Sequence, residues 1–156
     1  MWNLLYALHV LGAVLWVGGM AFAILALAPS LGALEPPQRL TLLAGVFRRF
    51  FMIVWHAMPV VLLTGWALLF VWYGGFRGVG WHVHLMHLTG LLMAAIYLAI
   101  ALGPWRQMRA ALAAGGAGGG ATTAAGAAAR IRQLVMVNLV LGLLTVAVAA
   151  WGRFGG

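Results

Sequence analysis

Four long apolar runs, separated by stretches rich in glycine, proline or arginine, limit most strongly how this chain can fold. A helix needs about 20 residues to cross the hydrocarbon layer of a bilayer, and the runs are about that long. Backbone groups find no water in lipid, so each run must satisfy its own hydrogen bonds as a helix; no period-2 alternation points to strands. The sequence therefore predicts an all-α, polytopic membrane protein with a four-transmembrane-helix bundle.

The limits of the predicted spans follow from the breaks between the runs. Within a single transmembrane domain of residues 1–156, the spans are about 4–28, 47–73, 82–103 and 134–151. Pro29 and Pro104 are expected to end the first and third spans, because proline cannot continue a helix. The Ala/Gly tract at about 110–129 has low complexity, which predicts a flexible cytoplasmic loop.

The basic residues predict the orientation of the bundle. All nine are arginines, and Glu35 is the only acidic residue. Most of the arginines lie in or beside the first and third loops, whereas Arg77 and Arg153 lie on the opposite side. The positive-inside rule then puts these two loops in the cytoplasm and both termini in the periplasm of a bacterial inner membrane. Contacts with the lipid bilayer explain the charge better than nucleic acid does, so we expect no nucleic-acid partner.

The composition excludes several kinds of site. Because Asp and Cys are absent, the chain has no paired carboxylates for acid–base catalysis, no oxygen-rich Mg²⁺ or Ca²⁺ cage and no thiolate site. The chemistry that remains is that of His, Met, Trp, Tyr and Arg. Histidine inside a membrane is costly and marks a candidate functional site.

The five histidines fall at different predicted depths. With a rise of about 1.5 Å per residue, His9 and His87 lie level, some two turns below the outer surface. His84 is one turn above His87 on the same face, and His82 is at the surface. His56 lies in the inner half of the second span, beside a kink at Pro59.

One interpretation of the level pair is a haem b site with two imidazole ligands. Small residues beside the histidines would leave room for a flat group, and cofactor sites in bundles are built from facing helices. The candidate cofactor-binding residues, including a partner for the propionates, are His9, His87, Gly12, Ala13, Trp16, Gly90 and Arg77. A six-coordinate haem suits electron transfer, with a quinone or a periplasmic redox partner, and makes the protein a possible oxidoreductase.

Copper is the alternative, because imidazole and thioether are ligands that Cu(I) favours. The stretch "WHVHLMHLTG" would supply His82, His84, Met86 and His87. His56 is another candidate ligand, for a second haem, a quinone or a metal. It could also hydrogen-bond a backbone group freed at Pro59.

Two segments carry a family resemblance. "LHVLGAVLWVGGMAF", with His9, Trp16 and Gly19, and "FRRFFMIVWHAMPVVLLTGWALL", with Thr64 and Gly65, resemble the first two helices of the CopD/HemJ superfamily. The resemblance implies a four-helix membrane protein. In one branch it implies haem b bound through His9 and oxidation of protoporphyrinogen IX; in the other, copper uptake or resistance.

The chain departs from the superfamily pattern in two later helices. His87 occupies the position where the third helix usually carries a lysine, and in the fourth helix Arg132 and a displaced Asn138 have no acid beside them. The histidine would supply a second axial ligand to a haem. The missing lysine and acid argue against porphyrinogen oxidation.

Overall fold

The computed structural model describes residues 2–114 and 119–153, and almost all of them are helical. The five main helices are α1 (Trp2–Ala21), α2 (Pro36–Ala67), α3 (Trp81–Leu102), α4 (Pro104–Ala113) and α5 (Gly120–Arg153). Short π or 3₁₀ turns extend α1 and α2, over Phe22–Leu27, Leu31–Ala33 and Leu68–Trp72. The described part of the chain contains no strand and four helical stretches long and apolar enough to cross a membrane. The prediction of an all-α, multi-pass membrane protein is confirmed.

The helices extend beyond the predicted spans because local signals favour continuation. Pro29 does not end the first helical stretch: it lies at the start of a new turn after the π segment, where its missing N–H is not needed. α2 begins at Pro36 rather than near residue 47. There the Glu35 side chain accepts from the helix backbone, while Gln38 reaches back to the Glu35 amide at 3.2 Å, which forms a capping box.

The predicted Ala/Gly loop at about 110–129 is wrong wherever the tract is described. α4 continues to Ala113 and α5 begins at Gly120, and residues 115–118 lie outside the described part of the chain. Ala124, Ala127 and Ala128 are buried, at helical spacing, where α5 packs against α4. Alanine is the strongest helix former, and its small side chain allows close helix packing, so low complexity here reflects packing rather than flexibility.

The pairing of the helices decides which residues can meet. α1 packs mainly against α2, and α3 and α4 pack mainly against α5. α2 and α5 also contact each other, which puts α1 and α3 at opposite corners of the bundle. The core is apolar and includes Trp16, Met20, Val54, Met93 and Ile131, whereas many large apolar side chains on the outer faces are exposed, as lipid contact requires.

Besides the bonds that His9 makes to α2, three side-chain hydrogen bonds join different helices of the described bundle. Tyr97 donates to the Phe51 carbonyl at 2.8 Å, and the Asn138 amide donates to the Met93 carbonyl at 3.3 Å. Thr145 donates to the Thr89 hydroxyl at 2.7 Å. Such bonds hold transmembrane helices in register.

The two ends of the bundle differ in chemistry. We call the end that carries His9, His82, His84 and His87 the histidine end, and the end that carries Arg48, Arg49, Arg106 and Arg109 the arginine end. The predicted sidedness, with both termini in the periplasm, stays a prediction.

Candidate metal site at the histidine end

His9 on α1 points at α2 and is held there by hydrogen bonds. Its Nδ1 lies 2.9 Å from the Val61 carbonyl oxygen and 3.1 Å from the Thr64 hydroxyl. A carbonyl can only accept, so Nδ1 carries the hydrogen. Nε2 therefore keeps its lone pair, and this is the arrangement that orients histidine ligands in metal sites.

Gly65 is the residue that lets the His9 ring lie against α2. A Cβ at this position would lie 3.0 Å from Cε1 of His9 and 3.4 Å from Nδ1. Sequence reasoning singled out Thr64 and Gly65 only as part of the family resemblance, and it missed Val61. Thr64 and Gly65 could have been identified from the sequence as a polar residue beside a small one within an apolar run. Val61 could not, because the group that contacts His9 is its backbone carbonyl, which every residue has.

Two aromatic side chains hold His84 and His87 on α3. The Phe76 ring, from the loop before α3, stacks on the exposed His84 ring with centroids 5.4 Å apart and meets the half-buried His87 ring edge-on at 5.3 Å. The Trp66 indole lies nearly parallel to the His87 ring, at 6.1 Å and 13°. These contacts fix the ring planes of both histidines. Nothing in the sequence indicated Phe76 or Trp66.

His9 and His87 lie at a similar height, because Gly65 contacts the first and the next residue, Trp66, contacts the second. However, they belong to α1 and α3, which occupy opposite corners of the bundle. α2 contacts both of them, through Val61 at His9 and through Trp66 at His87.

The remaining two histidines are placed differently. The His82 ring lies against Gly80 and Gly152, where any Cβ would collide with it, and its buried Nδ1 has no partner among the described residues. His56 is exposed on the outer face of α2, and its Nδ1 donates to the Met52 carbonyl of the same helix at 2.8 Å. This carbonyl is not the one that Pro59 frees.

The other predicted site residues are scattered. Gly12 is buried with its open face filled by Val61, whose Cγ2 would lie 2.7 Å from a Cβ. Trp16 belongs to the core, Gly90 faces open space and Arg77 is exposed. Ala13 and Met86 are half-buried. The described residues contain no group of three or more His, Asp or Glu side chains able to hold a metal ion.

The fold and the composition together define a multi-pass membrane protein whose available metal ligands are imidazoles and thioethers. The chain belongs to the CopD family: the family model described as copper resistance protein D matches residues 44–152, well over half of the chain. The matched region holds four histidines and begins after α1, so it leaves out His9. No curated protein and no solved structure matches the chain.

The family match supports the copper alternative of the sequence analysis. The main interpretation, haem b with electron transfer to a quinone or redox partner, finds no support in it. The geometry is also less favourable than that interpretation requires, because Val61 fills the space beside Gly12 and Trp66 covers a face of His87.

Proposed function

We propose that this protein binds Cu(I) at the histidine end and passes it into the bundle of a bacterial inner membrane, as part of copper uptake or resistance. Copper is the cargo in this proposal. His84 and His87, which lie one turn apart on the same face of α3, receive it near the surface, and His9 binds it at the level of His87. Support comes from membership of the CopD family and from the ligand chemistry of the chain.

The ligand types suit copper in its reduced state. Cu(I) prefers soft thioether ligands and also accepts imidazole, and the chain has no carboxylate or thiolate cluster to attract harder or more thiophilic ions. The core of the bundle contains Met20, Met58 and Met93, and Met86 is half-buried on α3. These buried thioethers are the soft ligands that a Cu(I) ion would meet if it moves from the histidine end into the core.

The observation that carries the proposal is the hydrogen bond between His9 and the Val61 carbonyl, at 2.9 Å. It keeps Nε2 unprotonated in an apolar environment, where a lone pair has few other partners. Metal-binding histidines commonly have this arrangement, with one ring nitrogen free and the other donating to a carbonyl. The exposed His56 also donates to a carbonyl, but within its own helix, whereas the bond of the half-buried His9 holds its ring between two helices.

The low number of ligands fits a cargo site better than a permanent one. No group of three charged or imidazole ligands comes together in the part of the chain that the structure describes. An ion that must leave again requires binding that is favourable but not too tight. The graded exposure of the histidines, from exposed His84 to half-buried His87 and His9, provides successive positions from water towards the core.

The test is a competition titration of the purified protein with Cu(I) under reducing conditions. His87→Ala removes one proposed ligand. His9→Gln removes another, while its amide can still donate to the Val61 carbonyl. We expect each variant to bind copper at least about tenfold more weakly. His56→Ala is the matched control, since His56 is exposed and bonds only within its own helix.

Two results would contradict the proposal. Equal copper affinity of His56→Ala, His87→Ala and His9→Gln would show that neither His9 nor His87 is a copper ligand. Stoichiometric porphyrin in the purified wild type, seen as a Soret band that disappears in His9→Gln, would favour the haem b interpretation instead.

A further inference from the structure

An open cavity of about 740 Å³ lies between α2 and α4 at the arginine end. Four arginines line it, two from each helix: Arg48, Arg49, Arg106 and Arg109. Cationic side chains on two different helices therefore border one space. The copper proposal uses none of them.

Among the described residues, these four guanidinium groups have no acidic partner and no hydrogen-bond acceptor. Glu35 is the only acid in the chain, and its side chain caps the start of α2. Among the described residues, no hydrogen bond or ion pair reaches Arg48, Arg49, Arg106 or Arg109. Positive charges gathered around one cavity repel each other unless an anion lies between them.

Arg39 provides the contrast. Its guanidinium donates to the carbonyls of Leu34 at 3.0 Å and Gly32 at 3.2 Å, which fixes the turn before α2. An arginine with a structural role in this protein thus has identifiable acceptors. The N–H groups of the four arginines around the cavity, by contrast, are available to donate hydrogen bonds to a ligand.

The walls of the cavity are built to hold a bulky group. Ala44 and Gly45 contribute almost no side chain, and a Cβ on Gly45 would meet nothing within 4 Å. The Trp105 ring packs edge-on against Phe51, with centroids 5.4 Å apart, and Cζ of Arg109 lies 5.9 Å from the Trp105 centroid. The tryptophan therefore supports Arg109 through a cation–π contact at the rim.

The position of the cavity indicates what occupies it. On α2, Arg48 and Arg49 are followed directly by the apolar stretch from Phe50, and α4 begins just after α3 ends at Leu102. We therefore expect the cavity to lie where hydrocarbon meets water, at the depth of lipid phosphates. A lipid can place its phosphate here while its chains stay in the bilayer.

We propose that this cavity binds an anionic phospholipid that carries two phosphate groups. Guanidinium groups bind phosphate through paired hydrogen bonds, so four arginines match two phosphates. A lipid with one phosphate can pair with only two of the four arginines, and a zwitterionic lipid brings its own cation. The site therefore selects the diphosphate lipid over both.

The experiment is native mass spectrometry of the full-length protein in detergent, titrated with three phospholipids: zwitterionic, anionic with one phosphate, and anionic with two phosphates. The test variant is Arg48→Gln/Arg109→Gln, which removes one arginine from each helix. The control is Arg130→Gln/Arg132→Gln, which removes the same charge from exposed positions on α5 that do not line the cavity. Inorganic pyrophosphate is added as a competitor that lacks acyl chains.

We expect the wild type and the control to bind the two-phosphate lipid most tightly, and the test variant to bind it about 30-fold more weakly, or about fivefold per arginine. Equal losses in both double variants would overturn the proposal, because they would mean a diffuse surface effect. A lack of preference for the two-phosphate lipid would do the same. Complete displacement by pyrophosphate at the same concentration would overturn the assignment to a lipid in favour of a free phosphate compound.

Discussion

Replacing Gly65 by alanine perturbs the environment of His9 without altering any proposed ligand. The added Cβ would lie 3.0 Å from Cε1 of His9, so the ring must move by a few tenths of an ångström. The movement strains the 2.9 Å hydrogen bond from Nδ1 to the Val61 carbonyl. Gly18→Ala is the matched control, because Gly18 is exposed on α1 and a Cβ there meets nothing within 4 Å.

The size of the effect follows from two opposing terms. Alanine in place of glycine stabilises a helix interior by about 1 kcal/mol. Overpacking against a fixed side chain costs about 1–3 kcal/mol. Gly18→Ala should therefore raise the free energy of unfolding by up to about 1 kcal/mol, while Gly65→Ala lowers it by about 0–2 kcal/mol. The two variants should differ by about 1–3 kcal/mol.

The assay is reversible unfolding in mixed micelles, followed by circular dichroism, combined with the Cu(I) titration described above. We expect Gly65→Ala to be the less stable of the two variants and to bind copper more weakly than the wild type. Equal stability of Gly65→Ala and Gly18→Ala would refute the close packing of His9 against α2. Lower stability with unchanged copper affinity would refute a role for His9 as a ligand.

Three further substitutions test other parts of the structure. Tyr97→Phe removes a hydrogen bond to a backbone carbonyl of α2 and should lower the free energy of unfolding in micelles by about 0.6 kcal/mol, and by no more than about 1.7 kcal/mol. Asn138→Leu should leave that free energy within about 1 kcal/mol of wild type or raise it, because the loss of the bond from Nδ2 to the Met93 carbonyl is offset by removal of the buried Oδ1, which has no partner among the described residues; a large loss would mean that Oδ1 binds another group. Gly152→Ala should displace the His82 ring and increase its modification by diethyl pyrocarbonate, measured by mass spectrometry; unchanged labelling would contradict the contact.

The membrane-spanning character of the chain was predictable because it depends on length and hydropathy alone. The four apolar runs gave the number of transmembrane helices correctly. The ends of the helices were less predictable. Glu35 with Gln38, and the alanines after Gly120, form helix where the composition suggested a loop, because capping and packing extend a helix beyond its apolar part.

The candidate site was only partly predictable. The sequence singled out His9, His84 and His87 because histidine is rare and costly in hydrocarbon. The sequence did not reveal that the Phe76 ring contacts His84 and His87. Nor did it reveal that a backbone carbonyl of α2 fixes the tautomer of His9. Such partners are ordinary residues whose importance depends on where neighbouring helices bring them.

The sequence by itself determined that this protein has four helices able to cross a membrane, that its arginines gather towards one end and that any soft metal ligands it offers are imidazoles and thioethers. Only the tertiary structure decided that α1 pairs with α2 and lies at the corner opposite α3, and hence that His9 and His87 are each held by α2. The physical reason is that hydropathy measures how deep a residue lies but not which way it faces. In lipid both faces of a helix are apolar, so hydropathy does not show which face of a helix contacts its neighbour. Close packing, as at Gly12 and Gly65, decides this, together with the few polar groups that must find a hydrogen-bond partner.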